Sequence, residues 1–246
     1  LNEILPTVGV SEAIDLALRC LVNPGDEVLY HEPAYVSYAP SVLLSYGSPK
    51  VVETGIEDLF ALNPAKLEAA ITPRTKALIL PYPCNPTGAI MTREDLEKIA
   101  KVIIEKDIIV ISDEIYAELT YGDEPHVSIA EIEGMKERTI IVNGFSKAYA
   151  MTGWRLGYIC APKPLTEQML KIHQYGIMSS PTTSQFAAIE ALKNGDEDIK
   201  EMEKRIAKVC EELTAMASAL TAVRKESAAV LQEKITAILV NLGMPK

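Results

Sequence analysis

The chain has 246 residues and a formal net charge of −10, with 34 Asp and Glu against 24 Lys and Arg, which allows one large α/β domain or one domain plus an appendage. Such an acidic balance lacks the clustered cations that a phosphate backbone or an anionic lipid surface requires, so binding to nucleic acid or a membrane surface is excluded as the primary function. The 4 cysteines form no C-x-x-C pair and the 3 histidines no metal-ligand spacing, and no apolar run is long enough for a membrane span, which predicts a reducing cytoplasm, no structural metal and no targeting segment.

Apolar spacing at Ile14, Leu16, Ala17, Leu18 and Leu21 predicts a helix over 11–22, stopped by Pro24-Gly25. Val10 and Ser11 then lie at a helix N-terminus, where free N–H groups and the dipole hold an anion; an ordinary N-cap serine satisfies the same pattern. A buried strand over 27–31 leads through Glu32-Pro33-Ala34-Tyr35-Val36-Ser37-Tyr38 into a helix. Tyr35, directly beyond a strand end, can lie against a planar ring, and taken alone reads as core packing. A strand at 50–53 and a helix at 64–71 carry no visible chemistry. The strand over 76–80 empties into Pro81-Tyr82-Pro83-Cys84-Asn85-Pro86-Thr87-Gly88, a loop stiffened by its prolines, in which Asn85 is either ordinary turn chemistry or a positioned amide. After a helix over 92–106, the buried strand 108–111 delivers Ser112-Asp113-Glu114-Ile115-Tyr116. An acid at the mouth of an apolar strand needs a cation, or serves as a helix N-cap. A strand over 139–142 precedes the stretch 143–157, and a strand over 156–161 and helices over 162–177 and 184–193 follow it.

The stretch Asn143 to Gly157 places Ser146 and Lys147 just beyond a strand end, where α/β sheets carry their chemistry. Phe145, Tyr149, Met151 and Trp154 are expected to fence Lys147 from water, and Arg155 supplies a second cation; both effects favour a neutral, nucleophilic amine. The spacing S-K-x7-R together with G-W-R-x-G resembles the pyridoxal-phosphate lysine signature of class I/II aminotransferases of the aspartate aminotransferase fold type. Four further segments resemble that family: T-V-G-V-S-E-A at 7–13, P-G-D-E-V-L-x-x-x-P-x-Y-x-x-Y at 24–38, N-P-T-G at 85–88 and S-D-E-x-Y at 112–116. The resemblance, which covers roughly residues 2–213, implies pyridoxal 5'-phosphate as cofactor. It implies that Lys147 forms the Schiff base and that Arg155, Ser146, Val10 and Ser11 hold the phosphate. Tyr35 would stack on the pyridine ring, Asp113 would pair with the protonated ring nitrogen, and Asn85 and Tyr116 would hydrogen-bond the phenolic oxygen.

The implied fold is α/β, a three-layer α/β/α arrangement with a mostly parallel sheet of about seven strands, as a cofactor-binding large domain over residues 1–213. A helical C-terminal tail over 214–246 is expected beyond it, with helices at 196–213 and 226–242, and no family motif is found in that tail. The family's small substrate domain and its site-closing N-terminal segment have no visible counterpart. The implied activity is transfer of an amino group between an amino acid and a 2-oxo acid, with Lys147, Asp113 and Tyr116 as catalytic groups, in a cytoplasmic homodimer. A C–S lyase or cyclase on the same scaffold, and a cofactor-domain fragment without catalysis, are the alternatives.

Overall fold

The structure, a computed structural model, describes residues 2–121 and 125–243. Its strands are β1 (Ile4–Thr7), β2 (Glu27–Glu32), β3 (Ser48–Glu53), β4 (Thr75–Leu80), β5 (Ile109–Asp113), β6 (Thr139–Gly144) and β7 (Gly157–Cys160). Its helices are α1 (Gly9–Leu21), α2 (Tyr38–Leu44), α3 (Pro64–Ala70), α4 (Arg93–Lys106), α5 (Phe145–Ala148), α6 (Lys163–Gly176) and α7 (Thr182–Asn241).

The seven strands make one sheet in the order β1-β7-β6-β5-β4-β2-β3, parallel from β6 through β3, with β7 antiparallel to both of its neighbours. Central parallel strands are covered on both faces, so β4 and β5 bury Ala77, Leu78, Ile79, Leu80, Val110 and Ile111 without alternation. One face packs against α1, α2 and α6 through Ile14, Leu18, Val42 and Met169. The other packs against α3 and α4 through Leu67, Leu96, Ile99 and Ile103. The three-layer expectation is met. β1 had no counterpart in the sequence reading, because Pro6 interrupts a strand pattern. It is tolerated since β1 pairs on one side only, and the opposite edge strand β3 carries Pro49 for the same reason.

The three helices expected between 184 and 242 are one 60-residue helix, α7. Gly195 is the strongest break signal there. A single interior glycine costs only about 1 kcal/mol and leaves the backbone ladder intact, and no proline falls within the span. The chain divides into two units, residues 1–189 and 190–246; the sheet lies wholly in the first, and α7 runs from one into the other. The second unit exposes Met202, Ile206, Val209, Leu213, Met216, Leu220 and Val223, spaced alternately four and three residues apart along the helix. No helix among the described residues is long and apolar enough to cross a membrane.

β6 and β7 end side by side at Gly144 and Gly157, and α1 starts against them. A Cβ on Gly157 would stand 2.7 Å from the Gly9 carbonyl carbon and 2.8 Å from the Val10 nitrogen, and one on Gly144 would stand 2.9 Å from the Gly157 Cα. These are backbone atoms that cannot rotate aside. Behind this contact Glu12 accepts from the Val8 N–H and lies 2.9 Å from Nδ1 of the buried His173, which ties the first turn of α1 to α6. Gly157→Ala is therefore expected to lower the unfolding free energy in urea by about 2–3 kcal/mol. Gly176→Ala, at the end of α6 with no atom within 4 Å of the new methyl, should change it by less than about 0.5 kcal/mol. Equal effects at the two sites would contradict the contact.

Candidate active site

The carboxyl ends of β2, β4, β5 and β6 and the start of α1 converge on one cleft of about 230 Å³. It is lined by all nine residues singled out in the sequence, Val10, Ser11, Tyr35, Asn85, Asp113, Tyr116, Ser146, Lys147 and Arg155, together with Tyr38 and Thr152.

One end of the cleft is built for an anion. α1 begins at Gly9 after Val8, with no side-chain cap, so Ser11 sits inside the first turn and is not an N-cap. The N–H groups of Gly9, Val10 and Ser11 therefore have no acceptor within the helix. Gly9 has φ +72°, and a Cβ there would meet Arg155 Nη2 at 2.6 Å, so the guanidinium lies directly over the start of the helix. Arg155 Nη1 donates to the Thr152 carbonyl at 3.2 Å, and the Thr152 hydroxyl donates to the Ser146 carbonyl at 2.9 Å. Thr152, which sequence reasoning passed over, thereby joins the two predicted anion ligands. No carboxylate pairs with Arg155 or Lys147 among the described residues. Guanidinium and helix dipole therefore add at a point left without a counter-ion.

The other end holds a buried acid. Asp113 closes β5 at 4% exposure, its Oδ2 accepting from the Tyr38 hydroxyl at 2.8 Å and its Oδ1 from the Ile115 N–H at 3.2 Å. Burial pushes its carboxyl up to about 6, against the pull of those two donors and with the Glu114 charge adding to the rise. No cation pairs with it among the described residues. Tyr38 was not assigned a role from sequence, although its i+3 spacing from Tyr35 in P-x-Y-x-x-Y was the available signal. Burial and the Asp113 charge raise its phenol well above the usual tyrosine range. Tyr35 stands edge-to-face on Tyr38 with ring centroids 5.7 Å apart, and its own ring is partly open to solvent. The adjacent Glu114 is buried among other partners, accepting from the Ser112 and Ser128 hydroxyls at 2.8 and 2.6 Å with His126 Nε2 3.2 Å away.

Between the two ends, Lys147 Nζ lies 5.4 Å from the centre of the Tyr116 ring. The expected aromatic fence around it is not formed. Lys147 is exposed, because Phe145 turns inward against Tyr149 and Tyr158, Met151 is buried, and Trp154 is half-exposed. Asn85 projects from a loop closed by the Cys84 N–H to Ala89 carbonyl bond at 2.9 Å and the Gly88 N–H to Cys84 carbonyl bond at 2.8 Å. An exposed amine, an unneutralised cationic end and an acid without a cation together suit a planar ligand that carries an anionic group at one end and a protonated nitrogen at the other.

Two buried groups give opposing pH dependences. His31 is stacked on Tyr82 at 4.8 Å, and burial lowers it to about 4 against the opposing pull of the Pro81 and Pro33 backbone. Between pH 4 and 6.5 the unfolded chain binds a proton at this position that the native chain does not, so stability is lost as pH falls through that window. Asp113 is shifted the other way, so its native state holds the extra proton between about 4 and 6 and stability is lost as pH rises. Each amounts to about 3 kcal/mol over its window, and they largely cancel. Asp113→Asn should unmask the His31 slope, making urea stability fall more steeply than wild type from pH 6.5 to 4, whereas His31→Phe should reverse the difference. Parallel profiles in all three proteins would contradict these environments.

The chain matches the family model described as aminotransferase class I and II over residues 2–246, which includes the tail where sequence reading found no motif. An aspartate aminotransferase of Pyrococcus abyssi is 48% identical over 193 residues, covering 78% of this chain and 50% of that protein. Among solved structures, an aromatic aminotransferase from Pyrococcus horikoshii OT3 superposes with a TM-score of 0.79 at 48% identity, covering 82% of this chain and 55% of that one. Aspartate aminotransferase from Thermus thermophilus with maleate gives 0.78 at 40% identity, covering 82% and 52%. The chain thus spans about half the length of the relatives it matches. On the strength of the family match along nearly its whole length, the chain belongs to the class I and II aminotransferases.

Proposed function

We propose that this chain is the cofactor-binding part of a pyridoxal-phosphate-dependent aminotransferase that moves an amino group between an amino acid and a 2-oxo acid. The observation that carries the reading is the gathering, in one cleft, of an exposed lysine, an arginine over an uncapped helix start and a buried aspartate, neither of the last two paired with an opposite charge among the described residues. When bound, the cofactor supplies an electron sink that acidifies the substrate Cα–H. Arg155, Ser146 and the N–H groups of Val10 and Ser11 would hold its phosphate. Asp113 would hold the protonated ring nitrogen, a cation that would offset the penalty of burying this carboxylate. Tyr35 would cover one ring face, and Asn85 and Tyr116 would bond the phenolic oxygen. Lys147 would hold the aldehyde group of the cofactor, and its Nζ, in the cleft beside Tyr116, would move a proton at the substrate Cα. Family resemblance further supports a homodimer, and 4 free cysteines fit a reducing cytoplasm.

Borohydride reduction after incubation with pyridoxal phosphate should leave a stable adduct on the peptide that contains Lys147, and Lys147→Ala should leave none. Arg155→Ala should keep the adduct at Lys147 while weakening cofactor binding by about 10–100-fold. An adduct on another lysine, or undiminished labelling of Lys147→Ala, contradicts the assignment. With an amino acid added, conversion of the cofactor to pyridoxamine phosphate marks an aminotransferase, whereas release of ammonia with a 2-oxo acid points to a lyase.

A further inference from the structure

Tyr38 opens α2 and is 3% exposed, yet its hydroxyl reaches the cleft and is the sole side-chain donor to Asp113 among the described residues. Its ring also receives the Tyr35 ring at an interplanar angle of 82°. A single side chain thus touches both the carboxylate at the floor of the cleft and the aromatic at its wall. The carboxylate has a problem that this contact addresses. Buried at the end of an apolar strand, Asp113 tends to take up a proton, and a protonated carboxyl could not hold a cationic partner. A hydroxyl aimed at Oδ2 favours the anion and fixes the plane of the carboxylate, leaving Oδ1 with only the Ile115 N–H.

We propose that Tyr38 is a positioning residue for the cofactor end of the cleft: its hydroxyl keeps Asp113 ionised and in one orientation. The Tyr38–Asp113 coupling stands on the geometry alone, whereas its consequence for the cofactor rests on the function proposed above. The ionisable groups around the pair are Tyr35 and Cys84 beside Tyr38, Glu114 directly after β5, and Tyr116 and Lys147 across the cleft. Glu114 is the negative neighbour that works against the ionised form, and it is held by Ser112 and Ser128, away from Tyr38. A Tyr38 that served packing only could be replaced by Phe, which keeps the ring and removes the hydroxyl, with no effect on Asp113.

The test is a carboxyl-carbon NMR titration of the full chain without cofactor, with Asp113→Asn identifying the resonance. In Tyr38→Phe, Asp113 is expected to bind its proton at least about tenfold more tightly than in wild type. If Tyr38→Phe does not fold, Tyr38→Met, also without a donor and of comparable bulk, carries the same expectation. An unchanged Asp113 midpoint in the folded variant overturns the proposal. With pyridoxal phosphate added, Tyr38→Phe should still give the borohydride-trapped adduct at Lys147, with cofactor affinity reduced about tenfold. Absence of that adduct in wild type counts against the proposed function, while the cofactor-free titration still decides the role of Tyr38.

Discussion

Everything at the anion end of the cleft depends on how closely the first turn of α1 approaches the paired ends of β6 and β7. Gly144 and Gly157 face each other across the antiparallel pair, and the Gly9–Val10 peptide sits on them at distances that leave no room for a methyl group. A third glycine, Gly9, lies under the Arg155 guanidinium. This contact aims uncapped N–H groups, Arg155 and the Ser146–Lys147 turn at one volume. A side chain on Gly157 would lift the helix from the strands, one on Gly144 would push β6 from β7, and one on Gly9 would lift the guanidinium from the helix. Glu12 and His173 reinforce the position from behind, since one carboxylate serves both the Val8 N–H and the imidazole.

The cleft is polarised along its length. Its cationic end is assembled from N–H groups of the first turn of α1 and a guanidinium that pairs with no carboxylate among the described residues, and its acidic end from a carboxylate that pairs with no cation among them. Leaving both charges uncompensated within the chain is unfavourable, and a dipolar ligand of matching polarity relieves both at once. The hydrogen bond from Tyr38 and the network that locks Glu114 on the neighbouring position show two ways of managing adjacent acids. One is directed into the cleft, and the other is bound away among serines and a histidine.

Much of this was legible in the sequence because the signals were local. Strand-then-loop patterns located Tyr35, Asn85, Asp113 and Lys147 at strand ends, and all nine candidate residues line the same cleft. What escaped was either non-local or contrary to propensity. β1 was hidden by Pro6, which only an edge position tolerates. The Tyr38–Asp113 bond joins residues 75 apart, and Glu12–His173 joins residues 161 apart, beyond the reach of spacing arguments. Ser11 carries the residue type of an N-cap, but the helix starts two residues earlier at Gly9, where only the positive φ and the close guanidinium explain the choice. Phe145, Tyr149, Met151 and Trp154 form a fence in the sequence reading; the backbone turns Phe145 and Met151 into the core and leaves the amine open. The uninterrupted course of α7 contrasts with the separate helices expected at 184–193, 196–213 and 226–242, between which neither proline nor a cap supports a break.

The central claim is that this cleft holds pyridoxal phosphate in one polarity, and the most direct measurement is a crystal structure of the chain with the cofactor bound. Phosphate density is expected on the N–H groups of the first turn of α1 and on Arg155, with the ring nitrogen facing Asp113 and continuous density to Lys147 Nζ. A cofactor bound with its phosphate away from α1, or with Lys147 unlinked and the ring nitrogen turned from Asp113, would contradict it.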